Sequence, residues 1–234
     1  MPDDPLPSPA VPPPGRLSLP ARLYLLAWDT GRPRLTGAGH LHHLVRAGAL
    51  TELAQRGLLV DDDGIAAPVD LDARTGDPVL DGLLDLVRES RPRRWKTWVT
   101  LRARYTLVAV REQLAAEGFL RAEKRRVLGV FPSVEYVLER VAAADALRAR
   151  ARRVLEGPQP AAEVAELDAA VVALAAAAEL RTLASARDRR RHRRRIEELT
   201  ERSGAAAPAL HGVVREVRTA VVVAAAAASA PAAG

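Results

Sequence analysis

Residues 101–130, LRARYTLVAVREQLAAEGFLRAEKRRVLGV, contain a helix, a stop and a short hairpin. Leu107, Val110 and Leu114 fall at i, i+3 and i+7, so they share one buried helical stripe. Arg104 and Arg111 are also seven apart and share a different stripe. Gly118 stops the helix, because glycine takes the left-handed C′ conformation at little cost. Phe119-Leu120 and Val127–Val130 then read as strands around a polar turn, Arg121–Arg126. An apolar helix that displays arginines, followed at once by a basic ribbon, is suited to holding an anion.

The plan occurs twice. ALTELAQRGLLVDDDGIAAP (49–68) and REQLAAEGFLRAEKRRVLGV (111–130) are each a helix ending in glycine, an apolar pair, a polar turn and a returning strand. Asp63-Gly64 is a strong hairpin signal. A helix followed by a β-wing is also the pattern of winged-helix nucleic-acid binders, which gives a second functional reading. That reading requires an open, polar recognition helix, and Leu107, Val108, Val110 and Leu114 leave little polar face.

Outward from this core, residues 1–15 are proline-rich and aperiodic and read as a disordered tail. Ser18 and Pro20 open a helix over Leu19–Trp28, with Leu19, Leu23 and Leu26 inward. Leu41–Arg56 is a second helix with Leu41, Leu44, Val45, Leu50, Leu53 and Ala54 facing the core. Asp77 caps a third, with Pro78 at its first position. RPRRWKTW (91–98) mixes four basic residues with Trp95 and Trp98, either an interfacial anchor or a core tryptophan beside solvated arginines. Pro132-Ser133 opens a long helix over Val134–Leu155, ended by Gly157-Pro158. Ala161–Leu183 is apolar all round and reads as the buried centre of a bundle. Arg187–Arg195 is the most basic window; Glu197 and Glu198 answer Arg193 and Arg194 at i, i+4. A last helix, Ala209–Ala227, puts Val213, Val217, Ala220, Val221 and Ala224 inward, and 228–234 reads as a disordered tail. The fold class is therefore mainly α: a multi-helix bundle around a buried Ala-rich helix, with small β-hairpins, in one domain over residues 16–227.

The 234 residues are 48% hydrophobic but only 3% aromatic, so Leu, Val and Ala must build the core. The net charge of +6 favours polyanionic partners. Lys96 and Lys124 are the only lysines; the other 33 basic residues are arginines, a bias that codon usage explains as well as phosphate binding does. The chain has no cysteine, which removes disulfides, thiolate nucleophiles and Cys-ligated zinc. His40, His42 and His43 cluster without a carboxylate at helical spacing, so no metal site is expected. There is no P-loop, GxGxxG, GxSxG or HExxH, and Asp61–Asp63 lacks calcium-loop spacing. Capping explains Asp77 and Asp81 without acid–base chemistry. Neither enzyme activity nor a cofactor is expected. The N-terminus lacks a basic region and an apolar core, so it does not read as a signal peptide. No run of about 18 strongly apolar residues exists to cross a bilayer. The expected location is cytoplasmic, peripheral on membranes.

The order of the pieces resembles the Golgi phosphoprotein 3 family, helical phosphoinositide-binding peripheral membrane proteins. The carrying segments are LTELAQRGLL (50–59), RTGDPVLDGLLDLVRES (74–90) and YTLVAVREQLAAEGFLRAEKRR (105–126). Thr75, Gly76, Asp77, Leu80 and Asp81 match the family's TGD-xx-LD signature. Val110, Arg111, Glu112, Leu114, Gly118, Glu123 and Lys124 match its helix-to-hairpin signature.

The resemblance implies a non-catalytic adaptor that binds a phosphatidylinositol 4-phosphate-like headgroup on an anionic phospholipid membrane and carries a protein cargo. Arg46 and Arg111 match two pocket arginines, and Arg102 matches a family lysine. Val108 stands where the third pocket arginine would be, and Gly37 near the pocket tryptophan. Arg104, one turn before Val108, is placed to substitute. Leu41 and Leu44, beside Arg46, would dip into the membrane interface, at the expense of the core stripe above. The 119–130 hairpin is a candidate homo-oligomer contact.

Overall fold

The computed structural model describes residues 17–127, 131–204 and 210–229. It is mainly α-helical, with three small antiparallel sheets among the described residues. The helices are α1 (Leu19–Leu26), α2 (Leu41–Gln55), α3 (Pro78–Glu89), α4 (Trp95–Thr100), α5 (Ala103–Ala116), α6 (Val141–Glu156), α7 (Glu166–Ala177), α8 (Ala186–Arg191), α9 (Arg193–Ser203) and α10 (Leu210–Ser229). The expected tail over residues 1–15 lies outside the described residues, as does 230–234 of the tail expected over 228–234, while Ala228 and Ser229 belong to α10.

The Ala-rich segment is central as expected. Every residue of α7 from Ala169 to Ala177 is buried, and α7 packs on α1, α2, α6, α9 and α10. Small side chains let five helices approach one axis, and the apolar area removed from water supplies the driving force. The helix is shorter than expected: Ala161–Glu163 form a separate 3-10 turn before it, and Ala178 ends it.

All eight residues of α1 are buried, and its start has no local cap. Glu52, from α2, instead accepts the Leu19 amide at 2.6 Å. The two helices touch closely at Gly48, where an added Cβ would sit 2.6 Å from Leu23 Cδ1.

The first hairpin turns at Asp63-Gly64 as expected. Strands β3 (Leu59–Asp62) and β4 (Ile65–Pro68) pair Asp62 with Ile65 across Asp63-Gly64. Both turn residues have positive φ, 49° and 81°, as a two-residue turn between twisted strands demands. A short strand β5 (Arg93–Arg94) adds to β4. Trp95 and Trp98 are both buried in α4, and Trp95 Nε1 donates to Asp61 at 3.0 Å. The interfacial-anchor reading of this segment is thereby corrected: the core takes both rings.

The signature around Asp77 is a folding device. Asp77 Oδ1 accepts the Val79 and Leu80 amides, capping α3. Asp81 accepts the Thr75 amide and hydroxyl, closing the turn through Gly76 at φ 76°. Gln113 of α5 donates to the other Asp77 oxygen at 3.0 Å, tying α5 to this cap.

Two expectations around 120–155 are corrected. The segment Arg121–Arg126 is not a turn but part of strand β6 (Leu120–Val127), paired with β7 (Phe131–Leu138). The long helix does not open at Val134; α6 begins at Val141. Period-two alternation in Val134-Glu135-Tyr136-Val137 suits a strand, and the partner strand supplies the hydrogen bonds that override the Pro-Ser capping signal. Arg121 bridges Glu123 and Glu139, so charged side chains dress this ribbon.

No described helix is long and apolar enough to cross a membrane.

Candidate anion-binding site

Arg111 is half-buried on α5, at the edge of the buried Leu107–Val110–Leu114 stripe, one turn after Leu107 and one turn before Leu114. Its guanidinium carbon is 5.7 Å from the Tyr24 ring centroid and 5.7 Å from that of Tyr136. Cations between aromatic faces are held electrostatically and stay oriented. Arg111 forms no ion pair among the described residues, and its Nε is buried without a hydrogen-bond partner.

A cavity of about 350 Å³ opens beside it, lined by Tyr24, Trp28, Arg34, Leu35, Arg111 and Tyr136 among others. Strands β1 (Trp28–Asp29) and β2 (Arg34–Leu35) bring Trp28 and Arg34 to one wall, and β7 forms the other. The Tyr24 hydroxyl and Trp28 Nε1 are also buried without a partner of good geometry. Burial raises the Tyr24 pKa, and the Arg111 charge, with the Arg111 and Trp28 N–H groups directed at the hydroxyl oxygen, opposes that rise. The Arg111 and Trp28 N–H groups thus converge on the Tyr24 oxygen at the inner end of one pocket without a hydrogen bond of good geometry, and buried polar groups are rarely left so. Of the two carboxylates at the mouth, Asp29 is engaged by the amides of Gly31 and Arg32. The surroundings are apolar and open: Val134 and Val141 line the pocket and are exposed. Tyr105 and Val108, on the exposed side of α5, are 73% and 47% accessible.

The other expected site residues lie elsewhere. Arg46 is only 1% exposed and does not line the pocket. Its Nη2 donates to the Arg102 carbonyl at 2.9 Å, while Nε and Nη1 are buried and unpartnered. Burial lowers its pKa to about 10, still charged at neutral pH. Arg102 heads α5 at φ 51°, a left-handed backbone that costs energy in a non-glycine residue. Arg46 therefore clamps the α4–α5 corner rather than facing a ligand, a correction to the expected role. Leu41 and Leu44 are fully buried, so the membrane-contact expectation for them is corrected too. The core-stripe alternative holds because α2 packs on α1, α5 and α7. At Gly37, an added Cβ would come within 3.1 Å of His40 Nε2 and 3.2 Å of Leu180 Cδ2, leaving no room for a tryptophan. Trp28 brings a tryptophan into the Arg111 pocket from another position, and Arg34 a second arginine. Neither carried a sequence signal, because their convergence depends on the β1–β2 turn.

Arg102 and Arg104 are exposed at the start of α5. Arg104 faces His42 and His43, whose rings lie 3.9 Å apart. Burial, then His43, Arg104 and His40, push His42 down to about 4. Burial first also lowers His40, against the Ala178 carbonyl and Glu179, and lowers His43. An unfolded chain thus binds protons on these rings before the folded one does. Stability is full above pH 6.5, the ordinary imidazole value, and falls as pH drops toward about 4. Urea midpoints at pH 7.5 and 5 should differ in the wild type, and His42→Gln/His43→Gln should shrink that difference; an unchanged difference would place its origin elsewhere.

The Golgi phosphoprotein 3 (GPP34) family description matches residues 19–217, nearly all the described helices. The chain belongs to the Golgi phosphoprotein 3 family. No curated protein matches the chain. In this Golgi phosphoprotein 3 member, the matched region includes the Asp77 cap, the Gly118 stop and the Arg111 pocket.

Proposed function

We propose that the protein is a non-catalytic adaptor that docks peripherally, from the cytoplasm, on membranes bearing an anionic, phosphatidylinositol 4-phosphate-like headgroup. The observation that carries this reading is Arg111, held between Tyr24 and Tyr136 with no ion pair among the described residues, at a pocket where the Tyr24 hydroxyl and Trp28 Nε1 also lack a hydrogen bond of good geometry. A phosphate offers acceptors for the Arg111, Tyr24 and Trp28 donors together. Arg34 at the wall adds charge. Val134 and Val141 at the pocket, with Val108 one turn before Arg111, supply exposed apolar surface, the role once expected of Leu41 and Leu44. Family membership supports the same reading, and a protein cargo is part of the proposal. Nucleic acid is disfavoured because the exposed α5 face mixes Val108 and Glu112 with its arginines.

Isothermal titration with soluble glycerophosphoinositol 4-phosphate, alongside vesicle co-sedimentation, tests the pocket. Arg111→Ala should weaken headgroup binding by roughly tenfold to a hundredfold, the worth of a charge-assisted hydrogen bond. Arg111→Lys should retain part of it. Arg46→Met should leave it unchanged. Equal binding by wild type and Arg111→Ala would remove the pocket reading.

A further inference from the structure

A second basic and apolar surface lies away from Arg111, where α8 and α9 meet α10. The helices α8 and α9 hold eight arginines against four carboxylates, and α10 holds two against one. Some of this charge is answered locally: Arg189 pairs with Glu179, Arg193 with Glu197 and Arg194 with Glu198. Arg190, Arg191, Arg215 and Arg218 are exposed and form no ion pair among the described residues.

A groove of about 450 Å³ separates α9 from α10, with Arg189, Arg193 and Arg218 along it and Val221 and Val222 at its apolar side. On α10, Val213, Val217 and Ala220 face the core. Arg215, Arg218 and Val222 follow at i, i+3 and i+7, so they share the outward face. Val222 and Val223 are 67% and 62% exposed. No charged residue follows Arg218 in the sequence. The outward face of α10 thus passes from cationic to apolar along its length.

We propose that this surface is a second membrane contact, seating the anionic headgroups of a phospholipid bilayer on Arg190, Arg215 and Arg218 and placing Val222 and Val223 in the interface. The chemistry favours lipid over nucleic acid. No aromatic ring lines the groove to stack a base, whereas exposed valines beside free guanidiniums match the boundary between headgroup and acyl chain. Basic residues near an anionic surface act additively, so several unpaired arginines suffice without a built pocket. The contact is interfacial, since α10 is not apolar enough to span.

The chain has no cysteine, so Val222→Cys accepts a single environment-sensitive dye. The dye should shift to the blue on phosphatidylserine-containing vesicles and not on phosphatidylcholine alone, while Val69→Cys, exposed on another part of the fold, should not respond. Arg190→Glu/Arg215→Glu/Arg218→Glu should partition at least about tenfold more weakly onto phosphatidylserine vesicles, with unchanged circular dichroism. Val222→Asp should also weaken partitioning, in high salt as well as low. The soluble headgroup separates this surface from the Arg111 pocket: the triple variant should bind it like wild type. If Arg111→Ala abolishes vesicle binding and the triple variant does not, the pocket stands and this surface falls. If the triple variant fails on vesicles while the soluble headgroup never binds, the pocket falls and this surface stands. Two further results overturn it: duplex DNA binding as tightly as vesicles with no effect of Val222→Asp, or a wild-type dimer that Val222→Asp dissociates without changing vesicle binding.

Discussion

Replacing Leu44 with alanine will lower the unfolding free energy by about 2–5 kcal/mol, the range for a buried leucine truncated in a packed core. Partitioning onto anionic vesicles will stay at the wild-type level. Leu44 is fully buried in α2, where that helix meets α1, α5 and α7. Its loss leaves a cavity that the surrounding helices fill only in part. Urea unfolding at neutral pH measures the first effect, and co-sedimentation well below the unfolding midpoint measures the second. A variant of wild-type stability that no longer bound vesicles would return Leu44 to the membrane interface and take it out of the core.

Glu52→Ala will cost about 3 kcal/mol, because a buried amide loses a charged acceptor and has no water to replace it. Glu52 is 4% exposed and accepts the Leu19 amide at 2.6 Å, which is the start of α1. It also holds Arg56, whose side chain is 40% exposed. Glu52→Gln keeps an acceptor for the amide and should lose only about 1 kcal/mol. Arg56→Ala, a change at a partly solvated pair, should cost less than about 1 kcal/mol. Denaturant midpoints for the three variants order the contributions. A Glu52→Ala variant no weaker than Arg56→Ala would show that the α1 amides are satisfied in another way. The two effects should add, since Leu44 and Glu52 are eight residues apart on α2, about 12 Å along its axis.

Much of the secondary structure was legible because its signals are local. Asp63-Gly64 requires positive φ at both residues, and few residue pairs take it so readily. Asp77 followed by Pro78 can cap and open a helix wherever it occurs. Gly118, at φ 72°, ends α5 where the pattern ended it. The i, i+4 pairs Arg193–Glu197 and Arg194–Glu198 follow from helix geometry alone. Strand β7 was illegible for the opposite reason. Pro132-Ser133 offers a helix-start signal that competes with the strand-forming Val134, Tyr136 and Val137, and the pairing with β6 that decides between them is a contact between segments that a periodicity reading treats separately.

The candidate site was legible at one residue. Arg111 sits at a pocket because it flanks the apolar stripe, one turn from both Leu107 and Leu114, and that placement is written in the spacing. Arg46 has the same residue type and a good family match, yet it is buried under the Arg102 carbonyl. The spacing fixes which face of α2 it occupies, but not which helix lies against that face. Trp28 and Arg34 show the converse. They carried no motif, and a turn between two short strands brings them to Arg111.

The sequence by itself determined the helical class, the buried Ala-rich centre, the first hairpin and the family, because those rest on periodicity, capping and turn chemistry that act within a few residues. Only the tertiary structure decided which arginines meet solvent, which leucines meet the core and where the pocket's tryptophan comes from. Burial of a side chain is a property of the surfaces packed around it, and those surfaces are assembled from segments far apart in the chain.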